Sequence, residues 1–216
     1  MYFDSYNYVV STYDVTGYED QIKLLRRGIC LDTAPLFILV VGHYDKIKNT
    51  KFVEQFESKD GGKPYNRSDY FYLLAFLNSL GLGKYHLFIT PQILTEFVQH
   101  LWKIINDKQH FKQILEYSFK PKLYIKEVPI NCSDCINELD FIGKKLEIGD
   151  ISVKILLDNH KSVISIITDD YPFYQIFDKK YDFLTIYYND VRTGTLTLGR
   201  KNIPEKLLKE PPPLVS

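Results

Sequence analysis

The chain has 216 residues, of which 45% are hydrophobic and 25% are charged, and its formal net charge is zero. This length is enough for one domain with its own core, without disulfides or a structural metal. The balanced charge excludes a generic polyanion-binding protein, so any contact with nucleic acid has to come from a local basic patch. The longest apolar stretch, residues 35–42, is far shorter than the ~20 residues that span a bilayer.

The N-terminal residues and the cysteines indicate the compartment. The segment MYFDSYNYVV has no basic region followed by an apolar core, so it does not read as a secretory signal peptide. The three cysteines are an odd number, which favours a reducing environment over a disulfide framework. We therefore expect a cytoplasmic protein that contacts no membrane.

The first half of the chain predicts helices and short strands in alternation. A short helix over 18–27 ends at Gly28, and a buried strand over 29–31 runs into Asp32. Pro35 then lies near the first turn of a helix that ends near Gly42. The polar segment 43–69 is predicted to be a mobile, lysine-rich connection with room for one turn of helix. A helix over 69–80 and a strand over 85–89 follow.

The second half continues the same alternation. Thr90 is a good N-cap and Pro91 suits the first helical position, so a long helix is predicted to about residue 106. The remaining predicted elements are helices over 108–118 and 133–145, a helix opened by Gly149-Asp150 and running to about 160, and strands over 123–128, 163–167 and 183–188.

Strands that alternate with helices predict an α/β fold, a three-layer α/β/α sandwich with a mainly parallel central sheet. We assign residues 28–200 to this domain, 1–27 to an N-terminal extension packed on it, and 201–216 to a flexible, proline-rich tail.

Two groups of acidic residues follow predicted strands. Asp32 closes the first apolar run, and Thr168-Asp169-Asp170 closes the run VISII. Ligands of open α/β sheets bind at the carboxyl ends of the strands. Each acid also has a purely structural interpretation, because Asp is a favoured N-cap for the helix after a strand.

Two further acids lie on predicted helices. Glu96 falls just off the apolar stripe of its helix, and either points toward the cleft above the sheet or lies on a solvated flank. Asp150 shares a helix face with Val153 and Leu157, where an acid needs a partner or a cation. The alternative for Asp150 is an N-cap, helped by Gly149.

Carboxylates that converge on one cleft repel each other and raise each other's pKa. A hard divalent cation removes this cost, and Mg²⁺ or Mn²⁺ favours carboxylate and water oxygens. A metal held in this way generates hydroxide and stabilises a developing phosphorane, which is the chemistry of nucleases. The acids therefore predict a Mg²⁺ or Mn²⁺ site.

Four segments follow one another along the chain: the strand that ends in Asp32, ITPQILTE, GDISVKIL and IITDDYPF. In this order they resemble the PIN-domain family of metal-dependent ribonucleases. The resemblance covers roughly residues 28–188. It implies an α/β/α sandwich whose acidic cluster binds Mg²⁺ or Mn²⁺ and cleaves single-stranded RNA. Asp32, Glu96 and Asp150 match the family's first three acids, and Thr168 and Asp170 match its Thr-x-Asp pattern.

The resemblance also implies roles for these residues. Asp32, Asp150 and Asp170 would hold one metal, and Glu96, with Asp169, would support a second metal or orient the attacking water. Thr168 would support the carboxylates by hydrogen bonds. The chain departs from the family in lacking an Asn after the first acid and in being longer than the compact PIN toxins. The resemblance suggests a toxin of a toxin–antitoxin pair, with an antitoxin partner and a homodimer as further expectations.

Other features have two interpretations each. Lys46, Lys48 and Lys51 are candidates for RNA contacts from the segment 43–69, or they belong to a solvated loop. Tyr44 and Tyr65 are candidates for stacking on bases, or they pack in the core. The pair Cys132 and Cys135 has CxxC spacing, but without a second pair it favours an ordinary helix start over zinc.

Two other functions compete with the ribonuclease. One is a PIN-like RNA- or protein-binding module whose site is catalytically silent. The other is a different α/β enzyme with an acid cluster, but a phosphatase of the haloacid dehalogenase type would carry Asp-x-Asp after the first strand, where this chain has Asp32-Thr33-Ala34.

Overall fold

The computed structural model describes residues 22–23, 25–57, 64–80, 87–119, 125–142, 147–159, 165–180 and 184–193. Within these residues the chain forms five strands and eight α-helices. The strands are β1 (Ile29–Leu31), β2 (Leu87–Ile89), β3 (Ile125–Glu127), β4 (Ser165–Thr168) and β5 (Leu184–Tyr187). The helices are α1 (Thr33–Lys48), α2 (Arg67–Ser79), α3 (Pro91–Ile104), α4 (Lys108–Phe119), α5 (Cys132–Ile142), α6 (Ile148–Asn159), α7 (Tyr171–Lys180) and α8 (Tyr188–Thr193).

The five strands form one sheet in the order β3-β2-β1-β4-β5, and all neighbours are parallel. Strand β1 occupies the centre, with Cys30 opposite Phe88 on one side and Ile166 on the other. Every residue of β1, β2 and β4 is buried, and β1 and β2 are wholly apolar, as expected for strands covered on both faces. The predicted α/β class with a parallel sheet is confirmed.

Helices cover both faces of the sheet. The chain moves from β1 to β2 to β3 in one direction and then crosses back to β4 and β5. Since crossovers between parallel strands are nearly always right-handed, the helices before β3 and those after it pack on opposite faces. The result is a three-layer α/β/α sandwich. No helix in the described parts of the chain is long and apolar enough to cross a bilayer.

Helix α1 corrects the prediction for the segment after Gly42. The helix continues to Lys48 and ends at Asn49, which adopts the left-handed conformation with φ of 55°. Tyr44 is fully buried, and its hydroxyl donates to Gln113 Oε1 and contacts His110 Nδ1, both at 2.7 Å. These long-range contacts stabilise the polar end of α1, so residues 43–48 are not a mobile connection.

The chain then returns toward the start of α1. A 3₁₀-helix covers Phe52–Gln55, Phe56 stacks on Phe37 with ring centroids 4.2 Å apart, and Tyr65 N–H donates to Phe56 O over 2.9 Å. Residues 58–63 lie outside the described residues. Tyr65 is 1% exposed, like Tyr44 at 0%, so neither ring can stack on a base.

Most of the assigned N-terminal extension and the end of the assigned domain lie outside the described residues. Ile22 and Leu25 are buried in the main core, whereas residues 1–21 and 24 are not described. The last described residue is Thr193, so the predicted boundary at 200 and the tail 201–216 also lie outside. Helices α7 and α8 were not predicted from the sequence.

Candidate functional site

The candidate site lies where the strand order reverses. From β1 the chain continues toward one edge of the sheet and from β4 toward the other, although β1 and β4 are neighbours. Such a reversal leaves a crevice at the carboxyl ends of the two strands. Asp32 and Thr168 lie at these two ends, and Asp32 N–H donates to Ile167 O over 3.0 Å, which extends the pairing to the rim.

Asp32 combines a structural role with a contact across the crevice. Its Oδ1 accepts the backbone N–H of Thr33 over 2.7 Å, so it is the N-cap of α1. Its Oδ2 accepts the Thr168 hydroxyl over 2.6 Å. Asp32 is therefore an N-cap, as its structural interpretation predicted. This role does not exclude a second one in the cleft, because Oδ2 faces β4.

Thr168 joins Asp32 to Asp170. The backbone N–H of Asp170 donates to Thr168 Oγ1 over 3.0 Å, which leaves the hydroxyl hydrogen directed toward Asp32. Asp170 is also the cap of α7, because its Oδ1 accepts the N–H of Phe173 over 2.9 Å. Thr168 thus links the Asp32 carboxylate to the backbone of Asp170.

A second threonine joins Asp32 to Glu96. Thr33, the residue after Asp32, donates its hydroxyl to Glu96 Oε2 over 2.7 Å, across 63 positions in the chain. Thr33 is 8% exposed and Glu96 is half-buried. Of the two interpretations of Glu96, the structure supports the one in which its side chain points to the cleft.

A relay of hydroxyl groups fixes helix α6 beside Glu96. Ser152 Oγ donates to Gly149 O over 2.6 Å, so Thr90 must be the donor in its 2.7 Å contact with Ser152. Thr90 Oγ1 in turn accepts the N–H of Ile93 over 3.3 Å. This relay places the first turn of α6 against the first turn of α3.

Glu96 lies directly against this first turn of α6. A Cβ added to Gly149 would collide with Glu96 Oε1 and would lie 3.1 Å from Glu96 Cδ. The missing side chain of Gly149 therefore gives the carboxylate its space. Gly149 precedes Asp150, so the third predicted acid follows this contact by one residue.

Asp150 is not the N-cap that the alternative interpretation required. Helix α6 begins at Ile148, so Asp150 is its third residue, and its Oδ2 accepts the N–H of Glu147 over 2.9 Å. This is one of the two hydrogen bonds of a capping box, in which the side chain of the third helical residue accepts the backbone N–H of the N-cap residue. Asp150 is half-buried, and its neighbour Gly149 lies against Glu96.

Asp169 differs from the acids on either side of the crevice. It is 4% exposed and accepts a hydrogen bond from the hydroxyl of Tyr65, which is itself buried. Tyr65 stacks on Phe56 and contacts Tyr188. Asp169 therefore anchors the chain around residue 65 to the end of β4, while Thr168 and Asp170 contact each other.

The predicted RNA-contacting lysines lie away from the acids. Asp32 precedes the first residue of α1 and Lys48 is its last, so at 1.5 Å per residue the two are separated by roughly 24 Å along the helix. Lys46 is half-buried, and Lys51 forms an exposed pair with Glu54 at 4.0 Å. The structure does not bring these lysines to the acidic cluster.

The carboxylate of Asp32 lies close enough to the Cys30 thiol to affect its ionisation. Burial, and after it the carboxylate of Asp32, raises the pKa of the Cys30 thiol well above its ordinary value, so this thiol stays protonated. In the residues that the structure describes, no group of three or more His, Cys, Asp or Glu side chains is arranged to hold a metal. Thr168 donates its hydroxyl to Asp32, and Thr33 donates its hydroxyl to Glu96.

Carboxylate oxygens are donors that Mg²⁺ and Mn²⁺ prefer, so the chemistry of the acids fits such an ion, although no three of them converge on one point among the described residues. Three contributors were missed from the sequence as site residues: Thr33, Gly149 and Tyr65. Thr33 was the easiest to find, because a hydroxyl next to a strand-end Asp points to the same crevice. The partners of Gly149 and Tyr65 are too distant in the chain to leave a local signal.

Comparison with known proteins found no match: no protein-family model, no curated protein and no solved structure is significantly similar to the chain.

Proposed function

We propose that the chain is a PIN-like, Mg²⁺- or Mn²⁺-dependent endoribonuclease acting on single-stranded RNA. The observation that carries the proposal is a hydrogen-bonded series at the reversal of the strand order. It runs from Asp170 through Thr168, Asp32 and Thr33 to Glu96. The series joins three acids from separate segments next to the place where α/β proteins bind ligands, and Glu96 lies against Gly149, the neighbour of the fourth acid, Asp150.

In this proposal Asp32, Asp150 and Asp170 bind one ion, and Glu96 orients the attacking water or supports a second ion. A bound divalent cation would supply a hydroxide at neutral pH and would stabilise the negative charge that develops on the phosphoryl group. Thr168 and Thr33 position Asp32 and Glu96 by donating to them. Asp169 is left out of the ligand set, because its carboxylate is buried and bonded to Tyr65.

The proposal requires a rearrangement of side chains rather than of the backbone. Asp32 and Asp170 are fixed by the ends of β1 and β4, and Glu96 is fixed by α3. The terminal torsions of Asp and Glu are broad, and a carboxylate that accepts one hydroxyl has further lone pairs, so it can turn toward a shared ion while it keeps the threonine hydrogen bond.

The competing function is a silent PIN-like module that binds RNA or protein. It is favoured by the absence of a ready three-ligand group among the described residues. The toxin role, the antitoxin, the homodimer and the RNA contacts of Lys46, Lys48 and Lys51 stay predictions of the sequence.

The test is cleavage of a labelled, unstructured RNA by the purified chain with Mn²⁺, with Mg²⁺ and with a chelator. We expect cleavage that requires the metal and is lost in Asp32→Asn, while the exposed-site control Glu54→Gln keeps it. Circular dichroism verifies that both variants are folded. Equal cleavage by wild type and Asp32→Asn would overturn the proposal, and metal-dependent RNA binding without cleavage would favour the silent module.

A further inference from the structure

The start of helix α5 carries two cysteines that the proposed function does not use. Cys132 is the first residue of α5, and Cys135 lies three positions further, so both side chains project from the same face of its first turn. Cys132 is exposed, whereas Cys135 is fully buried. An accessible thiol beside a protected one is the arrangement that a dithiol needs for stepwise oxidation.

A side chain of α3 shows that the two sulfurs face a common point. Gln92 Nε2 lies 3.9 Å from Cys132 Sγ and 3.9 Å from Cys135 Sγ, and it donates to Ile130 O over 3.3 Å. The buried Gln92 Oε1 has no hydrogen-bond partner among the described residues. One amide group thus contacts both thiols and holds them on the side of α5 that faces α3.

A disulfide between these two positions requires a small change in the helix. Side chains three positions apart on a helix have Cβ atoms ~5–6 Å apart, and a disulfide needs Cβ atoms about 3.5–4.5 Å apart, so the first turn has to tighten by roughly 1.5 Å. The first turn is the part of a helix that can do so, because its N–H groups have no partner within the helix.

The surroundings give the two thiols different roles. Cys135 packs against Ile151 and Ile155 of α6, and burial, followed by the neighbouring Cys132 and Asp134, raises its pKa. Cys132 is the first residue of the helix and is open to solvent, so a small disulfide can reach its sulfur. Cys132 is therefore the attacking thiol and Cys135 the resolving one.

We propose that Cys132 and Cys135 form a reversible intramolecular disulfide by exchange with a small-molecule disulfide such as oxidised glutathione. In the first step the Cys132 thiolate attacks one sulfur of that disulfide, its S–S bond breaks, and one small thiolate leaves. In the second step Cys135, as it loses its proton, attacks the Cys132 sulfur and expels the second small thiolate, which takes up a proton. Two protein thiols are oxidised and one small disulfide is reduced to two thiols.

The experiment equilibrates the native full chain with mixtures of reduced and oxidised glutathione. Acid quenching, alkylation of free thiols, intact mass measurement and peptide mapping then identify the products. We expect a monomer in which Cys132 and Cys135 become protected from alkylation together. Reduction with dithiothreitol should make both thiols available for alkylation again. The buried Cys30 should stay reduced throughout and serves as an internal control.

Two variants separate the steps. Cys132→Ser should abolish the reaction, and Cys135→Ala, which keeps an apolar side chain in the core, should accumulate the glutathione adduct on Cys132. Three results for the wild-type chain would each overturn the proposal. The chain could retain the glutathione adduct, form only disulfides between molecules, or not react with oxidised glutathione. None of these readouts depends on metal binding or RNA cleavage.

Discussion

The Thr168 hydroxyl donates to Asp32 Oδ2 over 2.6 Å and joins the ends of β4 and β1 across 136 positions in the chain. The same oxygen accepts the N–H of Asp170. One side-chain oxygen therefore joins the Asp32 carboxylate to the backbone of Asp170. A carboxylate that accepts such a bond is also held in one orientation, which is the preorganisation that a metal site needs.

Removal of this hydroxyl should weaken the fold. In Thr168→Val the shape of the side chain is kept, but Asp32 loses a donor and the Asp170 N–H loses its acceptor. We expect the free energy of unfolding to fall by about 1–3 kcal/mol in urea denaturation followed by circular dichroism.

Thr185 provides the matched control. It is a buried threonine on β5 whose Oγ1 has no hydrogen-bond partner among the described residues. Thr185→Val removes an unpaired buried hydroxyl, so stability should be unchanged or slightly higher. Equal losses in the two variants would show that the bonds of Thr168 do not contribute to stability.

Two glycines should respond differently to the same substitution. In Gly149→Ala the new Cβ meets the end of the flexible Glu96 side chain, and alanine is the better helix former. Stability should therefore change little, while displacement of Glu96 should weaken Mn²⁺ affinity roughly 10–100-fold. Calorimetric titration with Mn²⁺ measures the second effect.

Gly42→Ala is the contrasting variant. Its Cβ would lie 2.6 Å from Tyr70 Cβ, at the base of a side chain that is 1% exposed and cannot move aside. We expect a loss of about 1–3 kcal/mol in the free energy of unfolding. A larger stability loss for Gly149→Ala than for Gly42→Ala would contradict the conclusion that the new Cβ at position 149 meets only the flexible end of the Glu96 side chain.

Tyr65 should contribute to stability through its hydroxyl. Tyr65→Phe leaves the buried Asp169 carboxylate without this donor and should cost about 1–3 kcal/mol in the free energy of unfolding. Tyr72→Phe, on the exposed face of α2, should change it by no more than about 0.5 kcal/mol. If both variants are as stable as the wild type, the Tyr65–Asp169 bond is not a structural anchor.

Asp69 should make stability depend on pH. The side chain is fully buried, and its Oδ1 pairs with Arg192 Nε at 2.9 Å. Burial raises the pKa of Asp69 above the ordinary 3.8. The backbone N–H of Asn66, the charge of Arg192 and the hydroxyl of Tyr188 lower this pKa, but by less. Between 3.8 and the pKa in the folded state, the folded chain binds more protons than the unfolded chain, so this carboxyl lowers stability as pH rises.

The comparison is between wild type and Asp69→Asn, unfolded in urea at a series of pH values above 4. The stability of the wild type relative to the variant should decrease as pH rises through the pKa of folded Asp69. An increase over the same range would mean that Arg192 outweighs burial and lowers the pKa.

The sheet and the strand-end acids could be predicted because their signals are local. Continuous apolar runs mark strands covered on both faces, and Thr90-Pro91 marks the start of a helix whatever packs against it. Asp32 and Asp170 could be placed at one rim, because the carboxyl ends of parallel strands meet there.

The missed features depend on contacts between distant residues. The polar end of α1 is helical because Tyr44 contacts His110 and Gln113 on α4. The sequence of α1 alone gives no sign of these contacts. Tyr65 was considered for base stacking because its neighbours are polar, but its partner Asp169 is 104 positions away. Tertiary contacts decide such positions, and local propensity does not.

The most direct test of the metal site is Mn²⁺ binding, measured by calorimetric titration of the folded chain. We expect stoichiometric binding to the wild type and to Glu54→Gln, and its loss in both Asp32→Asn and Glu96→Gln, with the fold of each variant verified by circular dichroism. Binding that is equal in all four proteins, or absent from the wild type, would contradict the assignment of Asp32 and Glu96 to one metal site.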